Sequence, residues 1–152
     1  MQEILKISSI KNLHLIISII CIVPVAAVYG INPQAVLLRL FDINVDNINL
    51  TSIFRAMMGL YLGISCTWIV GIVKSKFFAI ATLTNVIFMG GLALGRLLSL
   101  LLDGFPSTYF VIGLLLELTL AFWGVRNLRK YSAITRRSLY MQERNNDVGL
   151  RQ

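Results

Sequence analysis

The sequence predicts an all-α integral membrane protein, folded as a four-helix bundle with the N and C termini on the cytoplasmic side. Composition is the first reason, because 57% of the 152 residues are hydrophobic and only 14% are charged. That apolar share is well above the share in a soluble domain. The second reason is that four stretches approach the roughly 20 apolar residues that a helix needs to span a bilayer. The third is that the basic residues are unevenly distributed between the connections.

The four predicted spans cover residues 13–29, 52–73, 77–102 and 108–125, and they form one transmembrane domain over residues 1–125. Between the first two spans, Pro33 opens an amphiphilic stretch that predicts a short interfacial helix. Polar turn residues follow the second span at 74–76 and the third span at 103–107. The remaining residues, 126–152, are predicted to be a basic cytoplasmic tail.

The orientation follows from the basic residues, because Lys and Arg near span ends are retained on the cytoplasmic side. With both termini inside, the opposite connections contain only Arg39, while Arg55 and Arg96 lie within spans. All the other basic residues then lie on the inner side: Lys6, Lys11, Lys74, Lys76, Arg126, Arg129, Lys130, Arg136, Arg137, Arg144 and Arg151.

The first span has a second interpretation as a cleavable signal peptide. Lys6 and Lys11 precede its apolar core, and residues 25–27 (Val-Ala-Ala) resemble a small-residue cleavage site. A retained span is favoured for two reasons: Glu3 is acidic, and cleavage would leave an odd remainder of three helices.

The net positive charge of the chain predicts what kind of partner it contacts. A net charge of +7 lies mostly beside apolar spans, which favours anionic lipid headgroups and disfavours nucleic acid. The run from Arg126 to Arg137 is the predicted lipid contact. No cofactor or metal is expected, because Cys21 and Cys66 lie inside spans as small hydrophobes, and the acidic segment at 42–49 lacks the glycine and glutamate of a calcium loop.

Pairs of glycines recur in neighbouring spans. Gly59 and Gly63 lie in the second span, and Gly91 and Gly95 lie at a similar depth in the third. Small residues at this spacing let helix backbones approach closely in lipid, so we expect the two pairs to pack against each other. Chance is the alternative, because glycine is common in membrane helices. Gly113 in the fourth span is likewise expected to admit a neighbouring helix.

Charged side chains inside the spans are the most informative residues. Arg55, Arg96 and Glu117 must pair, reach the interface or meet water, because an isolated charge in hydrocarbon is costly. Ser99 and Asp103 continue the face of Arg96 towards the outer surface. We therefore expect Arg96 to pair with Glu117, and Arg55 to supply a second bond or to pair with Asp103. These five residues are either a structural clasp or the polar lining of a ligand pocket.

A non-enzymatic role is the leading functional prediction, because no complete catalytic, nucleotide or metal signature is present. The protein would be an accessory or assembly subunit, or a binder of a lipid-like small molecule in a polar pocket of the outer half. One alternative is a membrane-embedded enzyme acting on a lipid or quinone, with Glu117 as acid or base and an arginine holding an oxyanion. Another is a component of a proton-coupled transporter. The sequence leaves open a homo-oligomer or a larger membrane complex.

The glycine-arginine stretch also carries a family resemblance. Residues 90–99 (GGLALGRLLS), followed by 103–107 (DGFPS), resemble the central motif of the DUF4345 family, and the resemblance covers about residues 51–125. The flanking positions that also resemble the family are Arg55, Ala56, Gly59, Leu116, Glu117 and Leu118. The resemblance implies a small four-helix bacterial protein, located as a multi-pass protein in the cytoplasmic (inner) membrane. It implies nothing about mechanism, because the family is named for its unknown function.

Overall fold

A computed structural model describes the backbone of residues 2–149 and the side chains of residues 11–132. The described chain contains helices and no strand, which confirms the all-α prediction. The helices are α1 (Gln2–Gly30), α2 (Pro33–Phe41), α3 (Ile48–Val73), α4 (Phe78–Leu102) and α5 (Thr108–Gly149), with a single 3-10 turn at Ser75–Phe77 between α3 and α4.

Four helices are long and apolar enough to cross a membrane, as predicted. Their spanning parts are Lys11–Gly30, Ile48–Val73, Ser75–Leu102 and Thr108–Ser132. At about 1.5 Å per residue each reaches the roughly 30 Å thickness of a hydrocarbon core. Large apolar side chains such as Ile20, which is 65% exposed, project from the outside of the bundle. Such a surface suits lipid, since soluble monomers rarely expose large apolar patches.

Helix α5 continues well beyond the predicted fourth span, which ended at residue 125. It runs unbroken to Gly149, so residues 126–149 of the predicted tail are helical. Hydropathy detects only the apolar part of a helix, whereas the helix itself ends where a breaking residue occurs. No proline follows in this helix, so nothing in the sequence stops it at the membrane edge.

The short helix predicted after the first span is present as α2. Pro33 occupies its first turn, and the side chain of Asn32 caps it by accepting a hydrogen bond of 3.2 Å from the backbone N–H of Ala35. Asp42 ends the helix in a left-handed conformation, with φ of 56°. Pro33 and Leu37 are buried while residues 38–40 are exposed, so α2 lies against the bundle with one face.

The bundle is built from two helix pairs, α1 with α3 and α4 with α5, which are joined by the contact of α3 with α4. Following the predicted orientation, we call the end with Lys11 and the Ser75–Phe77 turn the inner end, and the end with α2 the outer end. The buried core residues shared by the helices are Leu15, Ile22, Ala26, Tyr61, Trp68, Phe78, Ala81, Met89 and Leu120.

The predicted packing of the two glycine pairs is wrong within the chain. A Cβ atom built on Gly59, Gly63, Gly91 or Gly95 meets no atom of another part of the described chain within 4 Å. The spacing of small residues indicates where helices are able to approach, but it does not indicate which face of each helix the neighbour covers. Gly59 and Gly63 lie on the exposed face of α3.

Other glycines form the close helix contacts. A Cβ atom on Gly71 would overlap the Cβ of Ala81 across the α3–α4 contact, and a Cβ on Gly30 would clash with Met58. On α5, a Cβ on Gly124 would lie 2.6 Å from a methyl carbon of Val86. None of these three glycines has a second glycine four residues away, so the glycine-pair pattern does not reveal them.

We expect Gly71→Val to lower the free energy of unfolding by about 1–3 kcal/mol, because the added side chain must push α3 away from Ala81. Gly59→Val is the matched control on the same helix. It should change the free energy by no more than about 0.5 kcal/mol, since its side chain meets open space. Unfolding of the protein in mild detergent measures both, and equal losses would contradict the assignment of the contact.

Candidate functional site

The buried ion pair predicted from the sequence is present. Arg96 on α4 donates from Nε to both carboxylate oxygens of Glu117 on α5, at 2.9 and 3.0 Å. Glu117 is buried, with 6% of its surface exposed. The antiparallel packing of α4 against α5 therefore joins two charges that neither helix could leave alone in an apolar layer.

Only one edge of the Arg96 guanidinium is used by this pair. The group has five N–H donors in principle, and among the described residues only the Nε–H forms a hydrogen bond. The ring of Phe110 lies beside it, with 5.2 Å between the ring centroid and Cζ, at a distance suited to a cation–π contact. The Nη1 and Nη2 groups remain available to an oxygen-bearing ligand.

Gly113 lies beside this guanidinium, on a face of α5 where a neighbouring helix was expected. A Cβ atom at Gly113 would lie 3.7 Å from Cζ and from Nη2 of Arg96. The neighbouring helix α4 thus approaches Gly113 through the Arg96 side chain. A large side chain at this position would press on the ion pair.

A cavity of about 380 Å³ borders the ion pair. We call it the lateral cavity; it lies between residues 21–29 of α1, residues 89–96 of α4 and residues 109–120 of α5. Its wall is mostly aliphatic and aromatic, and both Arg96 and Glu117 contribute to it. A volume in the range of about 300–1,000 Å³ and a few polar groups in an apolar wall are typical of small-molecule sites.

Towards the inner end, side-chain contacts join α1 and α5. There the amide of Asn127 donates to the carbonyl oxygen of Lys11 at 3.2 Å, and the rings of His14 and Trp123 are 6.3 Å apart. Nearer the outer end the cavity fills the space between the two helices. The lateral cavity is partly open to the surface of the bundle.

A second cavity, of about 480 Å³, lies on the other side of Arg96. Gly91, Gly95 and Ser99 line it, and we call it the glycine cavity. It explains why the glycines of α4 have no neighbouring helix, since the space beside them is the cavity. The residues that border both cavities are Tyr29, Tyr61, Leu92, Arg96 and Phe110.

The other members of the predicted charge cluster do not join the ion pair. Arg55 is exposed and forms no salt bridge or hydrogen bond with the described side chains, so its predicted contact with Glu117 or Asp103 is wrong. Arg55 lies about two turns from the start of α3, where a long side chain can reach the interface by itself. Ser99 donates to Asp103 at 2.8 Å, but this bond is exposed at the end of α4.

Aromatic residues of the site are the ones that sequence reasoning missed. Tyr61 is 3% exposed and stacks edge-on with Tyr29 at 5.8 Å between ring centroids. Phe110 packs beside the guanidinium of Arg96. Tyr29 lies near a span end, where tyrosines are usually interfacial anchors, and nothing in the spacing of Tyr61 or Phe110 indicated that they would face a cavity.

The four apolar helices define the class, a multi-pass membrane protein. Its bundle holds a buried ion pair between two cavities. The chain belongs to the DUF4345 family, described as a domain of unknown function, and the match covers residues 10–126. This confirms the resemblance and extends it over the first span. No curated protein and no solved structure matches the chain.

Proposed function

We propose that the protein binds a lipid-like small molecule in the outer half of the bundle and does so without catalysis. The observation that carries the proposal is the position of Arg96, whose guanidinium borders both cavities while Glu117 bonds only to its Nε. An arginine fixed in this way presents further N–H donors inside an apolar enclosure. It can therefore orient the polar head of an otherwise apolar ligand.

The chemistry of the site favours a neutral head group with acceptor oxygens, such as a carbonyl or an ester. Glu117 already neutralises Arg96, and a second anion would lie beside a carboxylate that is 6% exposed. Like charges at close range in a region of low dielectric repel strongly. The apolar part of the molecule would occupy the lateral cavity and the glycine cavity, which meet at Arg96.

The membrane environment belongs to the same proposal. We place the protein in a bacterial cytoplasmic membrane with both termini inside, on the strength of the basic residues near the inner end. The run from Arg126 to Arg137 would bind anionic lipid headgroups there. Arg126 lies over the ring of Phe122, 5.8 Å from its centroid. Arg136 and Arg137 lie outside the residues whose side chains the structure describes.

The proposal is tested by native mass spectrometry of protein extracted in mild detergent. The wild type should carry a lipid-like molecule, and Arg96→Met combined with Glu117→Met should lower its occupancy by about tenfold or more, equivalent to about 1.4 kcal/mol. The double variant removes the guanidinium without leaving a lone buried charge, so circular dichroism should show that it stays helical. Thr119→Val, which removes an exposed hydroxyl that lines neither cavity, is the control and should retain the molecule.

Other outcomes separate the rival functions. A wild type without any bound molecule, or a double variant with undiminished occupancy, would contradict the proposal. A stoichiometric protein chain in the same spectra would indicate an assembly subunit or a homo-oligomer. Turnover of a lipid or quinone that is lost in Glu117→Gln would indicate an enzyme, and proton flux across sealed vesicles would indicate a transporter.

A further inference from the structure

A second group of polar side chains lies in the inner half of the core, away from the ion pair. His14 on α1, Trp68 on α3, and Thr82 and Asn85 on α4 are each 0% exposed. We call these residues the inner polar cluster. They lie far enough inside an apolar bundle that water outside the protein does not reach them.

The members of the inner polar cluster lie at one level of the bundle. The position of a Cβ on Gly124 would be 3.6 Å from Oδ1 of Asn85 and 3.7 Å from Cδ2 of His14, so both side chains flank the same point. Trp68 lies one turn before the Gly71 contact with α4, and Asn85 lies about one turn after it on the antiparallel helix. His14 and Asn85 thus flank one point, and Trp68 lies at a similar depth on α3.

Five side-chain atoms of the inner polar cluster have no hydrogen-bond partner among the described residues. They are Nε2 of His14, Nε1 of Trp68, Oγ1 of Thr82, and Oδ1 and Nδ2 of Asn85. A buried polar atom without a partner costs about 1–3 kcal/mol, and protein interiors satisfy nearly all of them. Each of the five atoms therefore lacks the partner that a buried polar atom requires.

The ring of His14 shows which side is open. Its Nδ1 already has Asn127 Nδ2 at 2.9 Å and the carbonyl oxygen of Lys11 at 3.0 Å. In one neutral tautomer Nδ1 accepts from Asn127 and Nε2 bears the proton, while in the other Nε2 is a bare acceptor. Nε2 needs a hydrogen-bond acceptor in the first tautomer and a donor in the second, so a partner that can do both suits either one.

We infer that the inner polar cluster is an internal water-binding site, in which ordered water bridges Nε2 of His14 and the amide of Asn85. Water suits the set because it both donates and accepts, and buried waters typically make about two to four hydrogen bonds. Thr82 offers a hydroxyl and Trp68 an indole N–H as further partners.

The water site is separate from the proposed ligand site. Ile22, Met89 and Leu120 are 5%, 1% and 3% exposed, and they form an apolar layer between the inner polar cluster and the cavities at Arg96. The two inferences are therefore independent, and either can fail without the other.

Nuclear magnetic resonance can test this site directly, because His14 is the only histidine in the chain. With histidine labelled by ¹³C and ¹⁵N, cross-relaxation from water to the ring C–H protons of His14 should be observed in detergent micelles. Bulk water cannot cause it, since the side chain is 0% exposed. We expect Asn85→Leu to reduce the cross-peak several-fold, because one bridging partner is lost.

Two control variants make the result specific. Thr119→Val removes an exposed hydroxyl that bonds to Leu115 at 2.7 Å and should leave the cross-peak unchanged. Ser18→Ala removes a buried hydroxyl near His14 that could relay magnetisation, and the cross-peak should persist. If Asn85→Leu does not fold, Thr82→Val, of nearly identical shape, should weaken the cross-peak in its place.

The inference would be overturned by a wild-type protein whose His14 ring shows no cross-relaxation with water. It would also be overturned by a scalar coupling across a direct hydrogen bond between Nε2 of His14 and the amide of Asn85. In that arrangement the two side chains satisfy each other, and no water is required.

Discussion

Replacing Glu117 alone with methionine is expected to lower the free energy of unfolding by about 3–5 kcal/mol, because Arg96 then remains as an unpaired charge within the bundle. Replacing Arg96 alone should be costly for the same reason, since the Glu117 side chain is only 8% exposed. Replacing both with methionine should cost little. Two apolar side chains of similar length fill the same space without any charge to desolvate.

A double-mutant cycle in mild detergent measures this coupling, with unfolding followed for the wild type, the two single variants and the double variant. The matched control is the cycle of Ser99→Ala with Asp103→Asn, which removes an exposed hydrogen bond at the end of α4. Its coupling should be no more than about 1 kcal/mol. Additive losses at Arg96 and Glu117 would show that the two residues do not depend on each other.

The same double variant separates the structural role of the ion pair from its role in binding. If it is stable but no longer carries a lipid-like molecule, the guanidinium serves the ligand as well as the fold. If it is stable and keeps the molecule, the pair is a clasp and the ligand is held by the apolar walls alone. Stability and occupancy therefore have to be measured on the same preparation.

The spans, the ion pair and α2 were predicted correctly because a single physical requirement determines each of them. A span must be apolar over the thickness of the bilayer, so hydropathy located all four crossings. A carboxylate near the middle of a span must meet a cation, and Arg96 was at a suitable depth for Glu117. Pro33 likewise predicted the start of α2, because proline is favoured in the first turn of a helix.

The predictions that are wrong are those that depend on which faces of the helices meet. Arg55 does not need an ion pair, because a long side chain near the outer edge can reach the interface by itself. Gly91 and Gly95 were expected to contact a helix, yet they line a cavity. The lateral cavity is lined by residues of several helices, so it is a property of the packed bundle that periodicity within one helix does not encode.

The glycines of α4 allow the binding proposal to be tested without disturbing any charge. Gly95→Leu should lower the occupancy of the bound molecule by about tenfold or more, because the new side chain fills the glycine cavity next to Arg96. The fold should tolerate the change, since a Cβ at Gly95 meets no other part of the described chain within 4 Å. Native mass spectrometry of the detergent-extracted protein reports the occupancy, and thermal unfolding reports the stability.

Gly59→Leu is the control for Gly95→Leu, because the two glycines occupy corresponding places in the repeated pattern and both face open space. Gly59 lines neither cavity at Arg96, so its substitution should change the occupancy by less than about twofold. Equal effects of the two variants would mean that the loss comes from a general disturbance of the membrane surface. An unchanged occupancy in Gly95→Leu would confine the ligand to the lateral cavity, and the glycine cavity would then have no part in binding.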